Sequence, residues 1–275
     1  MDNFIWVIGA VFGSYILLEL LLGRFWPKNG SRRENLLDVL AASQAWFLAG
    51  PLVVYFTAAI ERGLLPGYAD QFAGMPWYLQ LLAFVIADDM VQYWWHRATH
   101  KFPLLWGMHK FHHSPPFMGV RVIWRNGFFY DLLMPNLYFS GVLVYLGFGE
   151  VYFWYYLLKL CVTMGAHSEL RWDAWLYKYP GLAPLAWLVE RSVSTPATHF
   201  AHHAISDEDG VGNPNGNFGN LLFFWDVLFG TARITRRYPE RFGVPQEPGI
   251  APDPWYVYIF YPIFRAPSER GRQQN

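Results

Sequence analysis

The residues able to do chemistry in this chain are histidines, and they come in groups. Residues 96–113 read H-R-A-T-H-K-F-P-L-L-W-G-M-H-K-F-H-H and hold five of the nine histidines. On a helix, His96 and His100 stand one turn apart on one face, roughly 6 Å along the axis. His109 shares a face with His112 and His113 by the same periodicity, and after Thr198 the pattern returns as His199-x-x-His202-His203. A lone histidine on an apolar face is usually a core residue with its hydrogen bonds satisfied. Three clusters at ligand spacing point instead to metal. Eight clustered imidazoles exceed the needs of one ion, because a zinc site takes three or four protein ligands. Two ions sharing them would keep open positions. Imidazole suits iron, zinc, copper and nickel, so the ligand type alone does not choose the metal.

The elements that must position these side chains are apolar. Only 15% of the 275 residues are charged, against roughly 25% in ordinary soluble domains, while 53% are hydrophobic and 20% aromatic. Such a chain belongs in a bilayer. Its net charge is zero with no concentrated basic tract, so neither nucleic acid nor an acidic partner is indicated. The single cysteine, Cys161, excludes an intramolecular disulfide framework, a cysteine zinc site and an iron–sulfur cluster.

The expected fold is all-α: one domain over residues 1–275, an integral-membrane bundle of about four to five spanning or hairpin helices. A histidine-rich metal cap, residues 96–113 and 199–203, sits on the cytoplasmic side. The spanning candidates are residues 3–23, 36–60, 77–95, 128–147 and 151–166. Arg24, Lys28, Arg32 and Arg33 make the first loop cytoplasmic by the positive-inside rule. Gly50-Pro51 predicts a kink in the second span. The third span runs inward between Trp77-Tyr78 and Tyr93-Trp94-Trp95, so His96 emerges at the cytoplasmic boundary. The last two candidates form a hairpin whose tip, residues 147–150, has no basic residue. It returns to the side where His167 appears, which puts all nine histidines on one face.

Several charges fall at expensive depths. Asp89, Tyr93, His96 and His100 follow a 4-3-4 spacing and line one stripe. Asp89 is therefore a candidate to orient a histidine from behind, or else a helix-end charge bonded to a neighbouring helix. Lys159 should face protein or a cavity. Arg121 and Arg125 read as inside-positive anchors, with steering of an anionic headgroup as the alternative. Residues 172–179 and 182–189 are amphipathic aromatic pieces. A polar, turn-rich loop spans 207–219, a short helix over 220–231 ends at Gly230, and an aromatic patch at 255–264 could lie on the membrane.

A dinuclear centre at the cytoplasmic face of such a bundle favours a lipid substrate, and oxidising an unactivated C–H bond requires oxygen and a redox metal, which argues for iron. H-R-x-x-H, H-K-F-H-H-S-P and H-x-x-H-H, followed by N-F-G-N-L-L-F-F-W-D-V-L-F-G-T and Y-P-E-R-F-G-V, closely resemble the sterol desaturase/fatty acid hydroxylase superfamily, over residues 88–243. The resemblance implies an integral-membrane diiron enzyme. Such enzymes use O2 and external electrons to hydroxylate or desaturate sterols, fatty acids, sphingoid bases or alkylglycerols. It also implies that His96, His100, His109, His112, His113, His199, His202 and His203 are ligands, with His167 in G-A-H-S-E-L completing the nine. No haem domain, flavin site or dinucleotide-binding loop is present, so electrons come from a separate reductase chain. The expected location is a bacterial inner membrane or the endoplasmic reticulum. The apolar helices at 77–95, 128–147 and 151–166 should wall the substrate cavity. Hydroxylation is favoured over desaturation because a single hydrogen abstraction asks less of a site than two aligned ones. A membrane zinc hydrolase would employ three histidines, with zinc a possible substitute for iron, and would leave the others unused. A non-enzymatic metal carrier would string its ligands across the bilayer.

Overall fold

In the computed structural model, residues 4–245 and 252–265 are described, and no β-strand occurs among them. The long apolar runs form rods. After α1 (Phe4–Leu21), α2 (Arg32–Gln44) passes through a π turn at Ala45–Ala49 into α3 (Gly50–Leu64). Ser31 caps this rod by accepting from the Glu34 N–H at 3.2 Å. At Gly50-Pro51, where a kink is expected, the rod carries a π turn just before Pro51, which accommodates a ring that cannot donate to the helix ladder.

A second rod, α4 (Trp77–Phe84), continues through a π turn at Val85–Met90 into α5 (Val91–Lys101), and α6 (Pro103–His113) restarts with Pro103 in its first turn. Beyond a 3-10 turn at Val120–Trp124 come α7 (Phe128–Leu133), α8 (Pro135–Leu143), a π turn at Val144–Phe148 and α9 (Gly149–His167). The helix expected over 128–147 is thus two, because Pro135 cannot continue it and Met134 turns to ψ 106°. Gly147, at φ +110°, makes the corner between α8 and α9. A side chain there would sit 2.7 Å from the Ala73 backbone nitrogen. Five short helices complete the cap: α10 (Ala174–Lys178), α11 (Ala183–Ser192), α12 (Pro196–His202), α13 (Phe224–Phe229) and α14 (Trp255–Phe260).

Among the described residues, Arg32–Leu64 and Pro135–His167, each 33 residues, are long and apolar enough to cross a membrane; Trp6–Leu21 is a shorter apolar helix. The patch at 255–264 does not simply lie on a surface. Val257, Tyr258, Ile259 and Tyr261 are buried, with Tyr258 stacked on Phe111 at 4.9 Å and Tyr261 filling the space beside Gly107. Arg121 and Arg125 are neither free anchors nor headgroup ligands. Arg121 pairs with Asp38 at 2.6 Å, and Arg125 binds Asp38 at 3.0 Å and also Glu34, clamping the turn at Val120–Trp124 to α2.

The acidic pair in the π turn is divided between two tasks. Asp88 accepts from Asn136 of α8 at 2.7 Å, and from Tyr155 at 2.6 Å and Lys159 at 2.5 Å of α9. One carboxylate therefore ties α8 and α9 to the rod between them, and Lys159 faces protein. Breaking a buried pair strands the remaining charge. Lys159→Met should lower unfolding stability in detergent by about 3–5 kcal/mol, and adding Asp88→Asn should recover much of that loss. Equal stability of native protein and single variant would show that the pair is solvated.

Candidate metal centre

The nine histidines reach the centre from four helices: His96 and His100 on α5, His109, His112 and His113 on α6, His167 at the end of α9, and His199 and His202 on α12 with His203 as its C-cap. They gather into two sets. One holds His96, His100, His109, His113 and His202; the other holds His112, His167, His199 and His203; within each set the ligand atoms lie within 4.8 Å of one another. Eight are buried and His100 is partly so. His113 and His203, from different sets, stack at 4.4 Å between ring centroids, so the sets adjoin.

Each H-x-x-H-H box is shared between the sets. At ~100° per residue, positions four apart differ by about 40° and positions three apart by about 60° the other way. The i, i+4 pairs His109/His113 and His199/His203 accordingly stay together, while His112 and His202 cross to the opposite set. The spacing predicts the clusters, but this exchange appears only once the two helices face each other.

Backbone carbonyls fix the ring tautomers. Nδ1 of His96 lies 2.7 Å from the Phe218 carbonyl, Nδ1 of His202 lies 2.8 Å from the Gly216 carbonyl, and Nδ1 of His167 lies 2.8 Å from the Thr163 carbonyl. A carbonyl only accepts, so each Nδ1 carries the proton and each Nε2 keeps a lone pair. Yet Nε2 of His96 and Nε2 of His202 face each other at 2.9 Å. Burial is the largest cause that pushes His96 down to about 4, and it holds His199, His202 and His203 well below the usual imidazole range. At neutral pH these rings are therefore neutral, and two lone pairs at that distance repel unless a cation lies between them.

In the second set the ring nitrogens are equally close: Nε2 of His199 lies 2.9 Å from that of His167 and 3.1 Å from that of His203. Metal–nitrogen bonds of ~2.0–2.1 Å put tetrahedral ligand nitrogens about 3.3 Å apart, close to these separations. Among the buried nitrogens, His100 Nε2, His109 Nδ1, His112 Nδ1 and His199 Nδ1 lack a hydrogen-bond partner. The donor sets fit metal ions.

The orienting carbonyls come largely from the loop before α13. Asn217 holds it at φ +56°, donating from Nδ2 to the Thr198 carbonyl at 2.8 Å and accepting from the Arg233 N–H at 2.7 Å. Asp226 accepts from the N–H groups of Phe218 at 2.8 Å and Gly219 at 2.7 Å. Asp89 accepts from the Leu221 and Leu222 N–H groups and, at 2.8 Å, from the Trp225 indole, so it meets the continuation of this loop instead of a histidine ring. Asp173 accepts from the Ala197 N–H at 2.8 Å at the start of α12, where Thr195 makes the capping box. Burial pushes the Asp173 and Asp226 carboxyls up, while their hydrogen bonds act the other way. Glu19 accepts from Ser168 Oγ at 2.7 Å and from the Glu169 N–H at 3.0 Å, pinning the chain just after His167.

Asn217, Asp226, Asp173 and Glu19 carry no ligand spacing, and their roles were invisible beside the histidines. The available signals were the density of Asn, Gly and Asp over residues 207–220 and the N-F-G-N-L-L-F-F-W-D motif, which begins at Asn217 and ends at Asp226. A cavity of 320 Å³ reaches the five-ring set, lined by His100, Trp106, His113, Ile205, Asn215 and Val244 among others. Its walls come from His100 of α5, from α6 and from cap loops.

These features define a class: helical proteins with two adjoining all-histidine sets able to hold metal, beside helices long enough to cross a membrane. The chain belongs to the fatty acid hydroxylase family, whose pattern matches residues 81–231. It is 27% identical over 239 residues to an alkylglycerol monooxygenase of Danio rerio, covering 80% of this chain and 46% of that protein. Its identity to the alkylglycerol monooxygenase of Xenopus tropicalis is 26%, and to that of Homo sapiens 25%, again over 80% of this chain. The chain spans less than half the length of these relatives. No solved structure matches it significantly.

If the loop sets the tautomers, loosening it should weaken metal binding without unfolding the helices. Asn217→Gly tolerates the positive φ but deletes the amide. It should lower metal affinity by about 10–100-fold in a chelator competition, with far-UV circular dichroism unchanged. Unaltered affinity would show that the carbonyls hold their places without Asn217.

Proposed function

We propose that this chain hydroxylates a membrane lipid, a sterol, fatty acyl or related chain, using molecular oxygen at a two-iron centre. The observation that carries the reading is the pair of adjoining imidazole sets, with the Nε2 lone pairs of His96 and His202 facing each other. His96, His100, His109, His113 and His202 would hold one ion, and His112, His167, His199 and His203 the other. Bound there, redox-active iron supplies the oxidising power toward a C–H bond that amide, imidazole and carboxylate groups lack. In the balanced reaction, substrate, O2, two electrons and two protons give the alcohol and water. The electrons come from a separate reductase chain.

The chain's own residues do the positioning. The Phe218, Gly216 and Thr163 carbonyls keep Nε2 of three rings deprotonated and turned inward, and burial keeps water from competing for the ligand positions. The cavity beside His100 and His113 gives the reacting carbon room between the apolar faces of Trp106, Ile205 and Val244, with Asn215 as a polar contact. The family pattern supports a hydrophobic substrate, and monooxygenase relatives favour hydroxylation over desaturation. In this reading α1, the Arg32–Leu64 rod, residues 77–95 and the α8–α9 pair sit in the membrane. The loop carrying Arg24, Lys28, Arg32 and Arg33 sets the histidine face on the cytoplasmic side, in a bacterial inner membrane or the endoplasmic reticulum.

Three measurements check this. Protein made in iron-replete cells should contain close to two equivalents of iron; one equivalent of zinc, indifferent to iron supply, would sink the diiron reading. Cells expressing the chain under heavy-isotope O2 should accumulate a labelled hydroxylated lipid. An unlabelled alkene formed with matching oxygen use means desaturation, and a lipid change that persists without oxygen removes the oxygenase assignment. A reporter placed after Leu64 should lie on the side opposite one inserted at Glu208; the same side for both would overturn the topology.

A further inference from the structure

The cap carries an apolar surface that neither the histidines nor the core uses. α13 turns Phe224, Val227 and Leu228 outward at 46%, 41% and 56% exposure, the i, i+3, i+4 pattern of one helical face, and buries Trp225 and Asp226 on the other. α11 packs against α13 and does the same: Leu185, Trp187 and Leu188 face out, Ala186 and Glu190 face in. At the end of α13, Phe229 packs on Trp94 with ring centroids 4.9 Å apart. Trp94 closes the span expected at residues 77–95, so this surface continues the flank of a helix assigned to the bilayer.

The rim of the surface combines aromatic rings with cations. Trp175 and Tyr179 of the α10 turn are exposed, and Lys178 Nζ lies 5.5 Å from each ring centroid. The Arg191 guanidinium lies 4.7 Å over Trp187. Arg191 and Arg236 share the buried Glu190, leaving one net positive charge on that trio. Rings with a polar edge, placed beside cations on flexible stems, suit the headgroup layer, where apolar bodies sink and charges reach phosphate. Elsewhere on the cap, Asp207, Glu208 and Asp209 are exposed acids, the reverse chemistry.

We propose that α10, α11 and α13 lie in the headgroup layer of the same bilayer the chain spans, with Lys178 and Arg191 binding anionic lipid. α12 follows α11 after three residues, so this contact sets the depth of His199, His202 and His203 just beyond the acyl region. A protein partner or a second copy of the chain would cover the same apolar area but would not call for cations stacked on the outermost rings.

The test uses the full chain in phosphatidylcholine–phosphatidylglycerol vesicles, with the single cysteine removed as Cys161→Ser. A bimane label is attached at Leu188→Cys, at Leu228→Cys as an independent position, or at Glu208→Cys as the aqueous control. The Leu188 and Leu228 labels should lose most of their emission to lipids brominated near the headgroup and little to iodide, with the Glu208 label behaving oppositely. Equal iodide quenching at all three positions overturns the proposal. So does shielding of Leu188 and Leu228 from both quenchers, which marks a protein partner or, if it fades on dilution into lipid, a second copy. Quenching at Leu188 should strengthen with phosphatidylglycerol content and lose that dependence in Lys178→Gln; indifference to phosphatidylglycerol with Lys178 present overturns the anionic-lipid assignment.

Discussion

Two imidazole nitrogens facing each other at 2.9 Å, each with its partner nitrogen committed to a carbonyl, set the central constraint on this molecule. A neutral ring has one proton to give, and the carbonyls of Phe218 and Gly216 have taken it in both cases. Protonating the ring a second time would relieve the clash of lone pairs, but burial opposes charge on it. The arrangement therefore fits a cation held between the two rings. Much of the remaining structure keeps that arrangement in place: a loop with a left-handed asparagine, a carboxylate on its N–H groups, and caps at the helix ends that carry the rings.

The acidic pair Asp88-Asp89 shows how one short segment serves both membrane and cap. The π turn at Val85–Met90 buries both carboxylates and aims them at different neighbours. Asp88 gathers α8 and α9 around the rod, and Asp89 gathers the segment leading into α13. Both are held by donors from parts of the chain remote in sequence. Extra residues inserted as a π turn are common where a helix must serve a site. Here the wide turn lies about one and a half helical turns ahead of His96, so the rod that gathers α8 and α9 also carries the first two histidines.

The histidine clusters were legible because metal ligation leaves a local signature: donors of one type at i, i+3 and i+4. The apolar rods were legible for a different reason, since each is a long, nearly unbroken apolar run of about the length a bilayer requires. What the chain did not disclose locally was long-range. Asn217 sits in a loop whose composition says only turn and Asp226 on the short helix that follows, and their value depends on meeting Thr198, Arg233 and Phe218. Arg121 and Arg125 read as inside-positive anchors because nothing near them in sequence predicts Glu34 and Asp38. Asp89 shares a helical stripe with His96, yet periodicity could not say that the Trp225 indole would reach it first. The proline at position 135 was a local signal that the apolar run outweighed, and there the local rule won.

The division of both H-x-x-H-H boxes between the two sets has a further physical consequence. Had each box built its own site, one helix could shift and disturb one ion alone. Instead α6 supplies His109 and His113 to one set and His112 to the other, and α12 supplies His202 to the first and His199 and His203 to the second. A rotation of either helix by the angle between adjacent ligands spoils both sets at once. Because ligand sets of this kind are not preformed in an unfolded chain, binding energy becomes folding energy. With both sets filled, sharing the boxes would make the two binding events stabilise the same pair of helices. Occupancy of one set would supply part of the ordering that the other requires, so that the cap would be held as one cooperative unit on the rods.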